Sequence, residues 1–352
     1  MNSRNKATSP LPSDMVSTPE NAAADTARPV LSVRELSVAF PLEAGQALAV
    51  DKVSFDIFPG QTLALVGESG CGKSMTALAV MGLNPRPGKI TSGEVIFMGH
   101  NVVGLTDKDW GRIRGDKMGI VFQEPMTSLN PVFTVGDQIA EVLMLHRKLT
   151  RKQALVQAVE LFRQVGIPAP EQRVRDFPHQ LSGGMRQRVM IAMAIACKPR
   201  LLIADEPTTA LDVTIQRQIL ELLAELAAGT GTGTLLITHD LGVVAELADQ
   251  VAVMYAGRIV ENAPTGELMS NPRHPYTLGL INCRPEVPGP GTRHHREARL
   301  PVIAGHVPAL ANLPSGCSFR DRCPKAMPEC AQTTPPFIDL GHKHTVRCFL
   351  FA

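Results

Sequence analysis

The run Gly67-Glu68-Ser69-Gly70-Cys71-Gly72-Lys73-Ser74 has the spacing G-x-x-x-x-G-K-[ST], a pattern suited to gripping phosphate. Glycines let backbone N–H groups close around phosphate oxygens, and the positive end of a following helix strengthens the attraction. Lys73 would then reach the outer phosphates of a nucleoside triphosphate, and Ser74 would offer its hydroxyl to Mg²⁺. A glycine-rich turn with no ligand is the weaker reading, although this run alone does not exclude it. Farther along, Asp205 and Glu206 follow the apolar run Leu201-Leu202-Ile203-Ala204. A carboxylate at the end of a buried strand can hold Mg²⁺ through water. Successive residues point apart, so its neighbour can face an attacking water. The pair could equally be the acidic first turn of the next helix.

These groups need a frame. Val53, Phe55 and Ile57 alternate with Ser54 and Asp56, which predicts a half-buried strand stopped by the turn at Pro59-Gly60. Leu63-Ala64-Leu65-Val66 is a short continuous apolar run, suited to a strand covered on both faces. A strand, a glycine-rich loop and a helix in that order begin a doubly wound α/β fold. Leu201-Leu202-Ile203-Ala204 and Leu235-Leu236-Ile237 supply two more candidate central strands. Between about Asn130 and Gln180 the period becomes helical. Thr150 with Gln153 reads as a capping box, followed by Leu155, Val159 and Phe162 on one face and stopped by Gly166. An ordinary surface helix pair accounts for those residues equally well, and position inside an α/β domain makes it an inserted helical subdomain.

Composition narrows the class. The chain has 352 residues, 44% of them hydrophobic, enough for a globular core and, as a soft expectation, two domains. Lys and Arg number 35 against 33 Asp and Glu, a net charge of +2, too balanced for a nucleic-acid footprint or a polybasic membrane anchor. No apolar run approaches the roughly 18 residues of a membrane span, so membrane association would come through a partner protein. Residues 1–29 are rich in Ser, Pro, Ala and Asn, lack the apolar core of a secretory signal, and are expected to be a disordered tail. Seven cysteines without an export signal fit a reducing compartment.

Further motifs sit in a telling order. Gln123, within Val121-Phe122-Gln123-Glu124-Pro125, precedes the helical insertion, and Leu181-Ser182-Gly183-Gly184-Met185-Arg186-Gln187 follows it. Asp212 lies seven positions after Asp205, and His239 ends the third apolar run. With the phosphate loop and the Asp205-Glu206 pair, these resemble the ABC-transporter ATPases, over about Val30 to Pro264. The resemblance implies an α/β P-loop NTPase domain with an inserted helical subdomain, at about 30–271 and 125–185. It implies ATP and Mg²⁺ as ligands, the latter beside Ser74, Gln123 and Asp205. Glu206 would orient or deprotonate the attacking water, His239 would bridge the γ-phosphate and a neighbouring chain, and Gln123 would touch Mg²⁺ and water. Ser182, Gly183 and Gly184, flanked by Leu181 and Met185, would bind the γ-phosphate held by a second cassette, with Asp212 at the same interface. Met185 stands where many members carry Gln, a departure read as subfamily character. Phe40 resembles the aromatic that stacks on adenine, although a buried strand Phe fits it too.

The last quarter changes character. Pro285, Pro288, Pro290 and Pro301 mark a linker, and Cys317-x5-Cys323-x6-Cys330-x17-Cys348 places four thiols within 32 residues of little apolar content. So small a segment needs a staple, and tetrahedral thiolate sites suit Zn²⁺ or an iron–sulfur cluster. His274-Pro275-Tyr276-Thr277 and the cysteines resemble the C-terminal extension of peptide and nickel importer ATPases, placed at 272–352. That resemblance favours a structural [4Fe–4S] cluster over Zn²⁺ or free thiols. It also implies a second ATPase subunit, a different chain in preference to a second copy of this one, two membrane permease subunits, an extracytoplasmic binding protein, and a place on the cytoplasmic face of a bacterial inner membrane. Cargo stays open among dipeptides, longer peptides, glutathione and nickel chelates. A soluble ABC ATPase acting on DNA or ribosomes is the rival, but the long coiled coils or paired cassettes of those proteins are absent from this sequence.

Overall fold

The computed structural model describes residues 28–43, 45–209, 211–283 and 302–352. The expected disordered tail therefore lies outside the described residues apart from Arg28 and Pro29, as do the four linker prolines. The strands are β1 (Leu31–Leu42), β2 (Gly45–Ile57), β3 (Thr62–Val66), β4 (Lys89–Phe97), β5 (His100–Asn101) and β6 (Met118–Val121). They continue with β7 (Leu201–Asp205), β8 (Gly233–Thr238), β9 (Gln250–Tyr255), β10 (Arg258–Pro264), β11 (Ile338–Asp339) and β12 (Thr345–Val346).

They form two sheets. An antiparallel sheet has the order β2-β1-β4-β5, and a larger one runs β11-β12-β10-β9-β3-β8-β7-β6. Val53, Phe55 and Ile57 of β2 are buried while Ser54 and Asp56 are half-buried, the expected alternation. The three continuous apolar runs become β3, β8 and β7, adjacent and parallel at the centre of the larger sheet. Leu63, Leu65, Leu201, Ile203, Leu235 and Ile237 are at most 1% exposed, as strands covered on both faces require.

Because these strands are parallel, their C-terminal ends share one edge. Val66 pairs with Thr238, Asp205 with Ile237, and Val121 with Ala204. The loops leaving β3, β6, β7 and β8 thus open on the same side, where ligands of open α/β sheets bind.

The helical segment is locally encoded at its caps. Thr134 accepts from the Asp137 N–H at the start of Val135–Arg147, and Thr150 with Gln153 forms both halves of the predicted capping box on Arg151–Gln164. The buried residues of the latter are Ala154, Ala158, Leu161 and Phe162, with Leu155 and Val159 only half-buried beside them. The predicted period holds and Phe162 is buried as expected, while Ala154, Ala158 and Leu161 lie deeper than Leu155 and Val159 in the same core. Gly166 follows with φ +70°, a left-handed position that glycine fills without strain.

The C-terminal region, expected as a loop-rich appendage, is joined to the main sheet. β12 pairs antiparallel with β10 through Glu261↔Val346 and Asn262↔Thr345, and β11 pairs with β12. Glu261 is fully buried; its carboxylate accepts from the backbone N–H groups of Arg273 (2.7 Å) and His274 (2.9 Å) and lies 2.8 Å from His344 Nε2. A buried carboxylate needs such partners, and these three fasten the chain end to the segment at 273–274.

Candidate active site

The phosphate loop joins β3 to the helix Lys73–Val80. Gly67 and Gly72 have φ +156° and +110°, and a Cβ there would come within 2.2 Å of the Met254 carbonyl oxygen and 2.5 Å of the Ala49 carbonyl oxygen. Other residues would have to move the backbone to fit. Cys71 points inward and is fully buried. Lys73 is 5% exposed; its ammonium donates to the carbonyls of Gly67 (2.8 Å) and Glu68 (3.1 Å) and sits 4.0 Å from Glu206 Oε1. Ser74 Oγ donates to Asp205 Oδ1 at 3.0 Å. The two groups expected to meet Mg²⁺ therefore face each other. Burial pushes the Asp205 carboxyl up, the Ser74 hydrogen bond opposes this, and the charge of Glu206 adds to it.

Glu206 turns out of the sheet. Its φ is +45°, a left-handed conformation that costs a non-glycine residue about 1–2 kcal/mol. A backbone bond from its N–H to the Ile237 carbonyl (2.9 Å) holds the turn. The carboxylate accepts from Gln123 Nε2 at 3.1 Å and from Thr209 Oγ1 at 3.0 Å, and lies 3.6 Å from His239 Nδ1. The structure thus gathers Lys73, Ser74, Gln123, Asp205, Glu206 and His239, drawn from the ends of four strands, around one carboxylate pair.

Other predicted residues stand elsewhere. Ser182 is exposed and caps the helix Gly183–Ile195, its Oγ accepting from the Met185 N–H at 3.3 Å. Gly183 is exposed and Gly184 half-buried, beside the buried Leu181. Asp212 caps Val213–Thr230 by accepting from the Ile215 N–H at 3.0 Å. No hydrogen bond described for this turn ties it to the phosphate loop of its own chain. Its free N–H groups at a helix start suit an anion. Phe40 is half-buried in β1 with its ring against Gly88, whose added Cβ would fall 2.6 Å from it. No described contact joins it to the phosphate loop.

Sequence reasoning missed Thr209, although a hydroxyl three residues after Glu206 in a turn is a local signal. It also missed two distant partners of Glu68. The Glu68 N–H donates to Tyr276 Oη at 2.9 Å, and its carboxylate pairs with Arg322. Neither has a local signal, being 208 and 254 residues away.

The four clustered cysteines line one small cavity together with His274, Phe319 and Phe349. Burial, and then the charges of the other three thiols, push Cys348 up to about 11. Burial likewise raises Cys317 and Cys323, and nearby thiols add to both. Among the described residues no three His, Cys, Asp or Glu side chains converge tightly enough to hold a single ion. Cys283 lies outside this group, at the end of the helix Pro275–Asn282.

The family described as ABC transporter matches residues 50–209, and the family described as oligopeptide/dipeptide transporter, C-terminal region, matches residues 260–330. A putative peptide import ATP-binding protein of Brucella melitensis is 50% identical over 327 residues, covering 91% of this chain and 97% of the relative. The chain belongs to the ABC transporter ATPases. An oligopeptide transport ATP-binding protein of Bacillus subtilis is also 50% identical, over 92% of this chain and 97% of its own length. A dipeptide transport ATP-binding protein of the same organism is 48% identical over 91% and 94%. An ATP-binding cassette solved as a dimer in a post-hydrolysis state with ADP and Pi superposes with a TM-score of 0.61 at 27% identity, over 67% of this chain and 98% of that one. This ABC protein is accordingly an ATP-hydrolysing transporter subunit with ATP and Mg²⁺ as ligands, and membrane permeases are its partners. No helix among the described residues is long and apolar enough to cross a membrane.

Proposed function

We propose that this chain energises an importer of di- or oligopeptides by closing on ATP against a second cassette. The supporting observation is a half-site: the groups around Glu206 lie on one edge, while the Ser182 turn stands exposed and apart from them. A complete site then takes the phosphate loop of one subunit and the Ser182-Gly183-Gly184 turn of another. The relatives' names support peptide cargo, and the second subunit is a different ATPase.

Lys73 would hold the outer phosphates, and Ser74 and Asp205 would hold Mg²⁺, which would neutralise phosphate charge when bound. Glu206 accepts a hydrogen bond or proton from the attacking water at a carboxylate oxygen. Gln123 and His239 fix that carboxylate's direction, and Phe40 takes the adenine face. Close to Gln123, Met126, Val132 and Phe133 are 69%, 71% and 54% exposed. This apolar surface fits a helix of a permease subunit on the cytoplasmic face of the inner membrane, with a binding protein delivering cargo from outside.

Cys317, Cys323, Cys330 and Cys348, which line one small cavity, would hold a [4Fe–4S] cluster. Burial first and neighbouring thiols second raise Cys317, Cys323 and Cys348, a cost that is removed when they bind a cationic group as thiolates. The cluster would staple the segment rather than take part in hydrolysis.

The import reading is tested with the chain, its partner ATPase and the two permeases in proteoliposomes, supplied with binding protein and a labelled oligopeptide. ATP-dependent uptake that needs this chain is expected. Uptake of equal rate without it, or no uptake of any di- or oligopeptide, would refute the assignment.

A further inference from the structure

Glu68 places a carboxylate inside a loop whose task is to attract a triphosphate. Its own carbonyl accepts from Lys73 Nζ at 3.1 Å, so it adjoins the phosphate-binding ammonium. Left unpaired, its charge would oppose nucleotide binding. It is paired from the far end of the chain: Arg322 Nη1 donates to Oε2 at 2.9 Å and Nη2 to Oε1 at 3.1 Å, a two-pronged contact that sets direction as well as charge.

Arg322 is built into this position. Its side chain is 7% exposed, Nε donates to the Ala304 carbonyl (2.8 Å), and Nη2 also donates to the Ile303 carbonyl (3.2 Å). The guanidinium lies 5.8 Å from the Tyr255 ring and 6.0 Å from the Phe319 ring. Tyr255 and Phe319 pack in turn on Tyr276, whose hydroxyl accepts the Glu68 N–H. Both main chain and side chain of Glu68 are thus held by the C-terminal region. Arg322 itself ends the short turn Arg320–Arg322 between Cys317 and Cys323, so the wall of the thiol cavity is also the arm that reaches the phosphate loop.

We propose that Arg322 is a positioning residue of the nucleotide site, neutralising Glu68 and turning its carboxylate away from the phosphates. The C-terminal region thereby completes the charge balance of the phosphate loop.

The test is MgATP affinity of the purified full chain, by titration calorimetry, for R322M, E68Q and the double variant. Methionine keeps the apolar packing on Tyr255 and Phe319 and removes the charge. One unit of charge near a half-solvated phosphate site changes affinity by about five-fold. R322M is therefore expected to bind about five-fold more weakly and E68Q about five-fold more tightly, with the double variant returning to near wild type. A merely structural tie predicts that the double variant stays as weak as R322M. That result, or R322M binding like wild type, overturns the proposal. Should R322M not fold, E68Q decides alone: tighter binding supports charge balance, and weaker binding overturns it.

Discussion

Glu206→Gln is the most informative perturbation of the catalytic centre. Glutamine has the shape of the carboxylate and can still accept from Thr209 Oγ1, now at 3.0 Å, so the strained turn at φ +45° should persist. What disappears is the negative charge and the ability to take a proton. A positioned general base contributes roughly 10²–10⁴-fold, equivalent to about 2.7–5.5 kcal/mol of activation free energy. Binding should move the other way. Glu206 holds Lys73 Nζ at 4.0 Å, and a contact of that length is worth about 1–4 kcal/mol at effective dielectrics between water and a protein surface. Removing it frees the ammonium for phosphate and removes a negative charge beside the triphosphate, so ATP affinity should rise several-fold. The assay is phosphate release by the assembled complex alongside nucleotide binding to the variant chain. A loss of at least 100-fold in turnover with undiminished ATP binding is expected. Turnover within three-fold of wild type would remove Glu206 from the catalytic role, and lost binding would show that the substitution had damaged the loop instead.

Two other outcomes follow from burial. His274 is 1% exposed, its Nδ1 caps the helix Pro275–Asn282 by accepting the Tyr276 N–H at 3.0 Å, and burial pushes its pKa down to about 3 from 6.5. Between those values the unfolded chain binds one more proton than the folded one, so this residue costs stability as pH falls below 6.5. His274→Asn keeps a side-chain cap without titrating. It should flatten the pH dependence of chemical denaturation by about 1.4 kcal/mol per pH unit between roughly pH 6 and 4; an unchanged slope would show that His274 does not titrate as described. For the thiol cavity, anaerobically purified chain should be brown with about four iron atoms per molecule, and Cys317→Ser should lose both. Colourless protein with bound zinc would overturn the cluster.

The legible parts of the site were those written locally. The eight residues 67–74, the apolar runs before Asp205 and His239, and the Thr150 capping box each carry their signal within a few neighbours, because loop closure, strand burial and helix capping are short-range physics. The helix after Thr150 shows where this ends. Its period was readable, but burial of Ala154 and Ala158 rather than Leu155 and Val159 depends on which neighbour packs against it. The C-terminal strands were not readable at all. β11 and β12 are two residues each; β12 pairs with the edge that β10 offers, and β11 pairs with β12.

The sequence by itself determined which residues could do the chemistry, since phosphate binding, metal binding and proton transfer each need particular groups at short, fixed spacings. Tertiary structure alone decided how they meet. The strand order β3-β8-β7-β6 gathers Lys73, His239, Glu206 and Gln123 on one edge, and the pairing of Glu68 with Arg322 spans 254 residues. Such contacts form when distant segments pack, and nothing in the neighbourhood of either residue announces them.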